Sequence, residues 1–171
     1  LRSVCTYYAR MYEAKFLMGA IAGSLAENGK IGYIADYPIM GMIANINAFA
    51  LGAACVNPRA KVYLDWSTRK DHDLDHFLTK NDIHYVSNQD MIRPINPTRE
   101  YGLYKYEDGK TSNILMPIWN WGIYYEKLIQ AILAGTYKSE DEGEAKALNY
   151  WWGMSAGVID LVYSNQVVSN D

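Results

Sequence analysis

Three short runs rich in β-branched and aromatic residues, "KIGYIADYP", "AKVYLDW" and "IHYVSNQ", alternate along this chain with segments of helical periodicity. No other feature limits its fold more. Residues 8 to 26 place Ala9, Tyr12, Phe16, Leu17, Ala20, Ile21 and Leu25 at spacings near three and four, the pattern of an amphipathic helix, and Asn28-Gly29 stops it. A second helical pattern fills residues 40 to 55 and ends at Asn57-Pro58. "DHDLDHFLTKND" gives a short third helix with Leu74, Phe77 and Leu78 on one side. Strands that alternate with helices in this way predict an α/β fold, in which a parallel sheet with right-handed crossovers carries helices on its faces.

Beyond Met91 the pattern loosens. "GLYKYEDGK" and "NILMPIW" read as strands, the first at a sheet edge. Residues 122 to 134 read as a helix with Tyr125, Leu128, Ile129 and Ile132 inward and Gly135 at its end. "KSEDEGEAK" is a charged, solvated loop and "GVIDLVYS" a last strand. With 171 residues, half of them hydrophobic, the chain is sized for one compact globular core.

The formal net charge of -3, with 16 Lys and Arg scattered among 19 Asp and Glu, gives no electrostatic footprint for nucleic acid. Cys5 and Cys55 form no CxxC, and two buried thiols are the plain expectation. No apolar run approaches the ~20 residues that span a bilayer, and no export signal stands within the chain. The opening "LRSVCTYYARMYEAKF" enters a helical pattern almost at once without an initiator Met, and reads as part of a longer precursor. The 15 Tyr and 5 Trp against 3 Phe favour side chains with a polar tip on an apolar body, which suit half-buried clefts and interfaces.

In an open parallel sheet the ligand crevice lies beyond the carboxyl ends of the strands. That rule selects Asp36-Tyr37-Pro38, Trp66-Ser67-Thr68, Asn88-Gln89-Asp90 and the Trp119-Asn120-Trp121 segment. These loops mix aromatic, amide, carboxylate and hydroxyl groups, a combination suited to a small polar ligand with a flat ring. Asp36, Tyr37, Trp66, Gln89, Asp90, Trp119, Asn120 and Trp121 are therefore the candidate ligand-binding residues. Nucleophilic catalysis lacks a motif, since there is no GxSxG elbow, and a phosphate cradle of the GxGxxG type is absent after the first strand. His72 and His76 lie four apart on a helix, but without a clear third ligand a solvated face is the plainer reading. The expectation is a binding protein, not an enzyme, with no cofactor and no metal.

"YEAKFLMGAIAG", "GKIGYIADYPI", "INAFALGAACVNPRAKVYLDW", "WNWGIYYEKLIQAILAGTYKS" and "YWWGMSAGVIDL" together resemble the basic membrane protein family of ABC-transporter substrate-binding lipoproteins, which includes purine-nucleoside receptors. The resemblance implies a type I periplasmic-binding-protein-like architecture of two α/β lobes that close on a ligand. It implies residues 1–115 as the second lobe, 116–150 as a crossing and a helix returning towards a missing first lobe, and 151–171 as a crossing back with a terminal strand. The implied ligand is a nucleoside or similar molecule. The implied partners are an ABC permease, the missing N-terminal lobe and, for this length of chain alone, a second copy covering the helix at 122–134. The implied location is extracytoplasmic, on a lipid-anchored protein. Two positions depart from the family pattern. Arg69 and Lys70 precede Asp71 where an aromatic residue normally precedes the aspartate, and in "KYEDGK" Asp108 stands in for a ligand-contacting acid. A ligand-sensing domain of a larger regulatory protein is the alternative.

Overall fold

A computed structural model describes residues 6–88, 90, 100–136 and 149–164. The chain separates into two compact units, one of Tyr12–Ile118 with Leu161–Asp171 and one of Leu1–Met11 with Trp119–Asp160. Gln89, Cys5, residues 91–99 and the "KSEDEGEAK" segment lie outside the described residues.

The larger unit is built on a six-stranded sheet. Its strands are β2 (Lys30–Ala35), β3 (Lys61–Trp66), β4 (Tyr85–Ser87), β5 (Leu103–Glu107), β6 (Lys110–Trp119) and β8 (Ile159–Tyr163), in the order β3-β2-β4-β5-β6-β8. β2 pairs in parallel with both β3 and β4, so the three runs expected from sequence form the parallel heart of the sheet. β5 and β6 are antiparallel additions joined by the two-residue turn Asp108-Gly109, in which both residues have positive φ. An Asp-Gly pair accepts that left-handed backbone and matches the twist of the strands it joins. β5 is thus interior, not an edge, because the length of β6 shields its far side.

β2 is buried along almost its whole length, as expected of a strand covered on both faces. Ile31, Tyr33 and Ala35 point into a core shared with Met18, Ala22 and Ala26 of the first helical segment and with Phe49 and Ala53 of the second. Ile34 points the other way, into a core with Leu78, Ile83, Val86 and Tyr104. The first core lies under α1 (Met11–Leu25) and α2 (Met40–Val56), the second under α3 (Leu74–Asn81). The result is a three-layer α/β unit, as the sequence alternation requires. α3 starts where the Asp73 carboxylate accepts the His76 backbone N–H at 3.0 Å and stops at Asp82, whose φ is 57°.

α1 and α2 touch backbone to backbone. A Cβ added to Gly19 would fall on the Phe49 carbonyl, and one added to Gly52 on the Phe16 carbonyl; one at Gly23 would meet the Ala53 oxygen at 2.8 Å. This contact corrects the helix face read from sequence. Met11, Ala14, Lys15, Met18 and Ala22 are buried, whereas Phe16 and Leu17 are 38% and 40% exposed, because small residues must fill the narrow gap between the helices and the bulky ones are turned outward. The sequence also starts the helix too early, since Tyr8 and Ala9 belong to a strand. Cys55, at the end of α2, is exposed and not a buried thiol.

The smaller unit holds β1 (Thr6–Ala9) paired in parallel with β7 (Asn149–Trp152), α4 (Trp121–Leu133) and a short 3-10 turn at Met154–Ala156. Its packing is aromatic. Tyr124 stacks on Tyr7 at 4.4 Å between centroids and meets Tyr150 and Trp152 edge to face. Tyr124 is therefore the buried residue of α4, while Tyr125, Ile129 and Ile132, expected inward, are about half exposed. That side of the helix is left only partly covered by the described residues. No helix among the described residues is long and apolar enough to cross a membrane.

The α1–α2 contact makes a direct test. Gly19→Ala and Gly52→Ala are each expected to destabilise the protein by about 1–3 kcal/mol through overpacking. Gly122→Ala, at a position with open space around it, is expected to leave stability unchanged or slightly higher. Urea unfolding followed by circular dichroism separates the two cases.

Candidate functional site

The carboxyl ends of β2, β3 and β4 gather a set of polar side chains. Directly after β2, one Asp36 carboxylate oxygen accepts a short hydrogen bond from the Ser67 hydroxyl, and the Asp36 carbonyl accepts one from Thr68 Oγ1 at 2.7 Å. Ser67 N–H in turn donates to the Ala35 carbonyl at 2.8 Å, which prolongs the β2–β3 ladder by one bond past the strands. The two loops are stitched together, and Asp36 is held partly buried between them. Tyr37 stands outside this stitch, 62% exposed. Trp66 is half-buried and packs against the α1–α2 side of the core, so its ring serves packing first.

At the end of β4 the arrangement is more unusual. Lys15 of α1 is fully buried, and its ammonium donates to Asp90 Oδ1 at 2.5 Å and to Ser87 Oγ at 3.1 Å. The same ammonium lies 5.1 Å from the centroid of the Tyr33 ring. Burial works against the charged lysine, but the neighbouring Asp90 carboxylate and Tyr33 outweigh it and hold its pKa above the ordinary value. Burial likewise pushes the Asp90 carboxyl up; Lys15 pulls it back, and the charge of Asp36 adds to the rise. Sequence reasoning missed Lys15 and Ser87. A signal was present: Lys15 falls in register with Met11, Met18 and Ala22, a spacing that marks an inward face.

A second cluster sits just beyond, on β3 and the loop after it. The buried Asp65 carboxylate binds His72 Nδ1 at 2.9 Å through one oxygen and Arg69 Nη1 at 3.1 Å through the other, and Arg69 also pairs with Asp71 at 2.6 Å. Burial raises the Asp65 pKa, but the hydrogen bonds from His72 and the Trp66 backbone, with the charges of His72 and Arg69, take it below the ordinary carboxylate value. His72 is thus engaged by Asp65 and not paired with the exposed His76. No group of three or more His, Cys, Asp or Glu among the described residues is arranged to hold a metal ion. Arg69, which with Lys70 stands where the family pattern has an aromatic residue, forms a loop clamp with Asp71 here.

In the smaller unit, Asn120 precedes α4 and does not cap it. Its side-chain amide donates to the Gly157 carbonyl at 3.2 Å and its backbone N–H to the Val158 carbonyl at 2.8 Å. Trp121 meets Tyr7 edge to face at 5.2 Å, and Trp119 ends β6 half-buried. Asp108 occupies the β5–β6 hairpin turn, beyond the amino-terminal end of β4 and so at the opposite end of the sheet from Asp36 and Asp90. The structure therefore brings Asp36 and Asp90 together with Lys15, Ser67 and Ser87, leaves Trp119, Asn120 and Trp121 in the other unit, and removes Asp108.

The family model for PnrA-like ABC transporter substrate-binding proteins (Bmp) matches residues 2–171. Among curated proteins, the chain is 28% identical to a purine-binding protein of Brucella abortus, over 93% of this chain and 47% of that protein. It is 26% identical to a putative ABC transporter glucose-binding protein of Haloferax volcanii, over 89% and 40% respectively. The chain spans less than half the length of these relatives. Among solved structures, the fold matches an ABC transporter solute-binding protein of Conexibacter woesei with a TM-score of 0.63 at 18% identity, over 93% of this chain and 55% of that one. It also matches a transcriptional activator of the comK gene from Bacillus halodurans, with a TM-score of 0.61 at 14% identity, over 96% and 59%.

The Asp65 cluster gives a pH test. A carboxylate whose folded pKa is depressed stabilises the fold above its unfolded pKa of ~4, and that contribution is lost as pH falls through the folded value. Asp65→Asn is therefore expected to lower the urea midpoint at pH 7, and the gap from wild type should close as pH drops below ~4. A gap that persists unchanged at pH 2 would show that Asp65 acts through packing alone.

Proposed function

Because this chain belongs to the Bmp family of PnrA-like ABC transporter substrate-binding proteins, we propose that it contributes the ligand-binding second lobe of a solute receptor that delivers its ligand to an ABC permease. The observation that carries this reading is the convergence of Asp36 and Asp90 at the carboxyl ends of adjacent parallel strands, where an α/β sheet holds its ligands. The carboxylates accept hydrogen bonds from ligand hydroxyls, and Tyr37 offers an exposed aromatic face; Trp119, Asn120 and Trp121 are candidate ligand-binding residues of the smaller unit. Gln89 is a further candidate, as a hydrogen-bonding amide. Binding shifts an equilibrium between open and closed forms of the two-lobed protein and drives no bond chemistry.

A nucleoside is the favoured ligand class, supported by the purine-binding Brucella relative. The receptor works outside the cytoplasm, anchored by lipid. The larger unit corresponds to lobe two. The smaller unit is the part of the chain that returns to lobe one, and the uncovered apolar side of α4, with Tyr125, Ile129 and Ile132, is completed there by the rest of that lobe. Without that lobe, a second copy of the chain takes its place. The second reading is a ligand sensor within a regulatory protein, favoured by the fold's occurrence in a transcriptional activator.

Isothermal titration calorimetry of the intact protein against purine nucleosides, free bases and simple sugars tests the first reading. Saturable heat with nucleosides, weakened by Asp36→Asn, is expected; silence towards all three classes would sink it. Loss of uptake on deleting the cognate permease separates transport from sensing.

A further inference from the structure

A lysine with no solvent exposure is an expensive way to fasten a helix to a sheet. Breaking a buried ion pair leaves a stranded charge, yet exchanging the whole pair for neutral groups of similar size is often harmless to stability. Position 15 lies among Met11, Ala14, Met18 and Ala22, where an apolar side chain would serve α1 packing directly. Instead the ammonium spans three elements: it rises from α1, passes the Tyr33 ring of β2 and binds Ser87 at the end of β4 and Asp90 just past it. Asp90 is the one partner that reaches solvent, with 16% of its side chain exposed. Lys15 engages Oδ1; no hydrogen bond to Oδ2 is formed among the described residues.

We propose that Lys15 is a positioning residue for ligand binding: it fixes Asp90 by Oδ1 and so presents Oδ2 as a rigid acceptor at the strand ends. This deepens the solute-receptor reading and rests on it. The groups that face Asp90 are Lys15 from α1, Tyr33 of β2 and Asp36 beyond it, and Ser87 of β4. Lys15 is shared with Asp90, and Asp36 adds a second acidic side chain nearby, so the strand ends carry an acidic surplus. The matching ligand is uncharged and rich in hydroxyl donors, such as a nucleoside or sugar, and a phosphorylated form of the same molecule is repelled.

The test uses the intact protein with inosine, glucose and inosine 5′-monophosphate as probes. Wild type is expected to bind inosine or glucose at least ~10-fold more tightly than the monophosphate, in line with the cost of placing like charges together in a buried site. In Lys15→Met, affinity at pH 7 is expected to fall ~10-fold or more and to recover as pH rises towards 9, because an unpaired buried carboxylate titrates higher. Lys15→Met with Asp90→Asn removes the stranded charge; it should regain thermal stability while affinity stays low. A structural anchor alone predicts instead that this double variant regains both. Full affinity in the double variant, an unchanged pH profile in Lys15→Met, or equal binding of inosine and its monophosphate by wild type would each overturn the assignment while leaving the receptor reading standing. Silence of wild type towards all three probes would overturn both.

Discussion

The Gly52 Cα hydrogens rest against the Phe16 carbonyl, and Gly19 rests equally close to Phe49. Much of the larger unit follows from that approach of α1 to α2. With no Cβ in the way, the two helices share one face of the sheet at backbone distance, and α1 turns Met11, Ala14, Lys15, Met18 and Ala22 inward. Only in that rotation does the lysine reach the end of β4. A bulkier residue at either glycine would push α1 outward, and the ammonium would lose Asp90 and Ser87 together. The packing constraint and the polar chemistry at the strand ends are therefore one feature seen at two distances.

β2 makes the same point from the sheet side. Both of its neighbours are parallel to it and both of its faces are covered, so its carboxyl end is the place where three loops are forced to meet. The Ser67–Asp36 and Thr68–Asp36 bonds tie two of those loops, and Asp65 with Arg69 and His72 stiffens the second one farther out. Polar groups at this end are bound to one another, an ordering that would lower the cost of binding a ligand there.

Much of this was legible in the sequence wherever the determinants are local. β2, α2, β3 and α3 each carry their own periodicity and stop signals, and the strand-end rule selected the loops of Asp36 and Asp90, which follow the adjacent strands β2 and β4. Legibility failed where a partner distant in sequence decides. Tyr8 and Ala9 continue a helical pattern but are captured by β7, and β7 itself has no strand signature beyond its aromatics. Phe16 and Leu17 look like core residues until the glycine contact is known. Trp66, a candidate ligand-binding residue at a strand end, is half-buried and packs against the core. Lys15 was hidden by its chemistry, because a charged residue on an amphipathic helix is assigned to the outer face by default.

The pairing of β1 with β7 has a consequence for the order in which the chain assembles. The larger unit draws nearly all its strands from one continuous stretch, Tyr12–Ile118, so its β-α-β contacts close through short loops and form early. The parallel pair Thr6↔Asn149 joins segments far apart in sequence and offers no reward until the intervening fold exists. β1 therefore gains its β7 partner only after the segments of the larger unit that lie between them in sequence have been made.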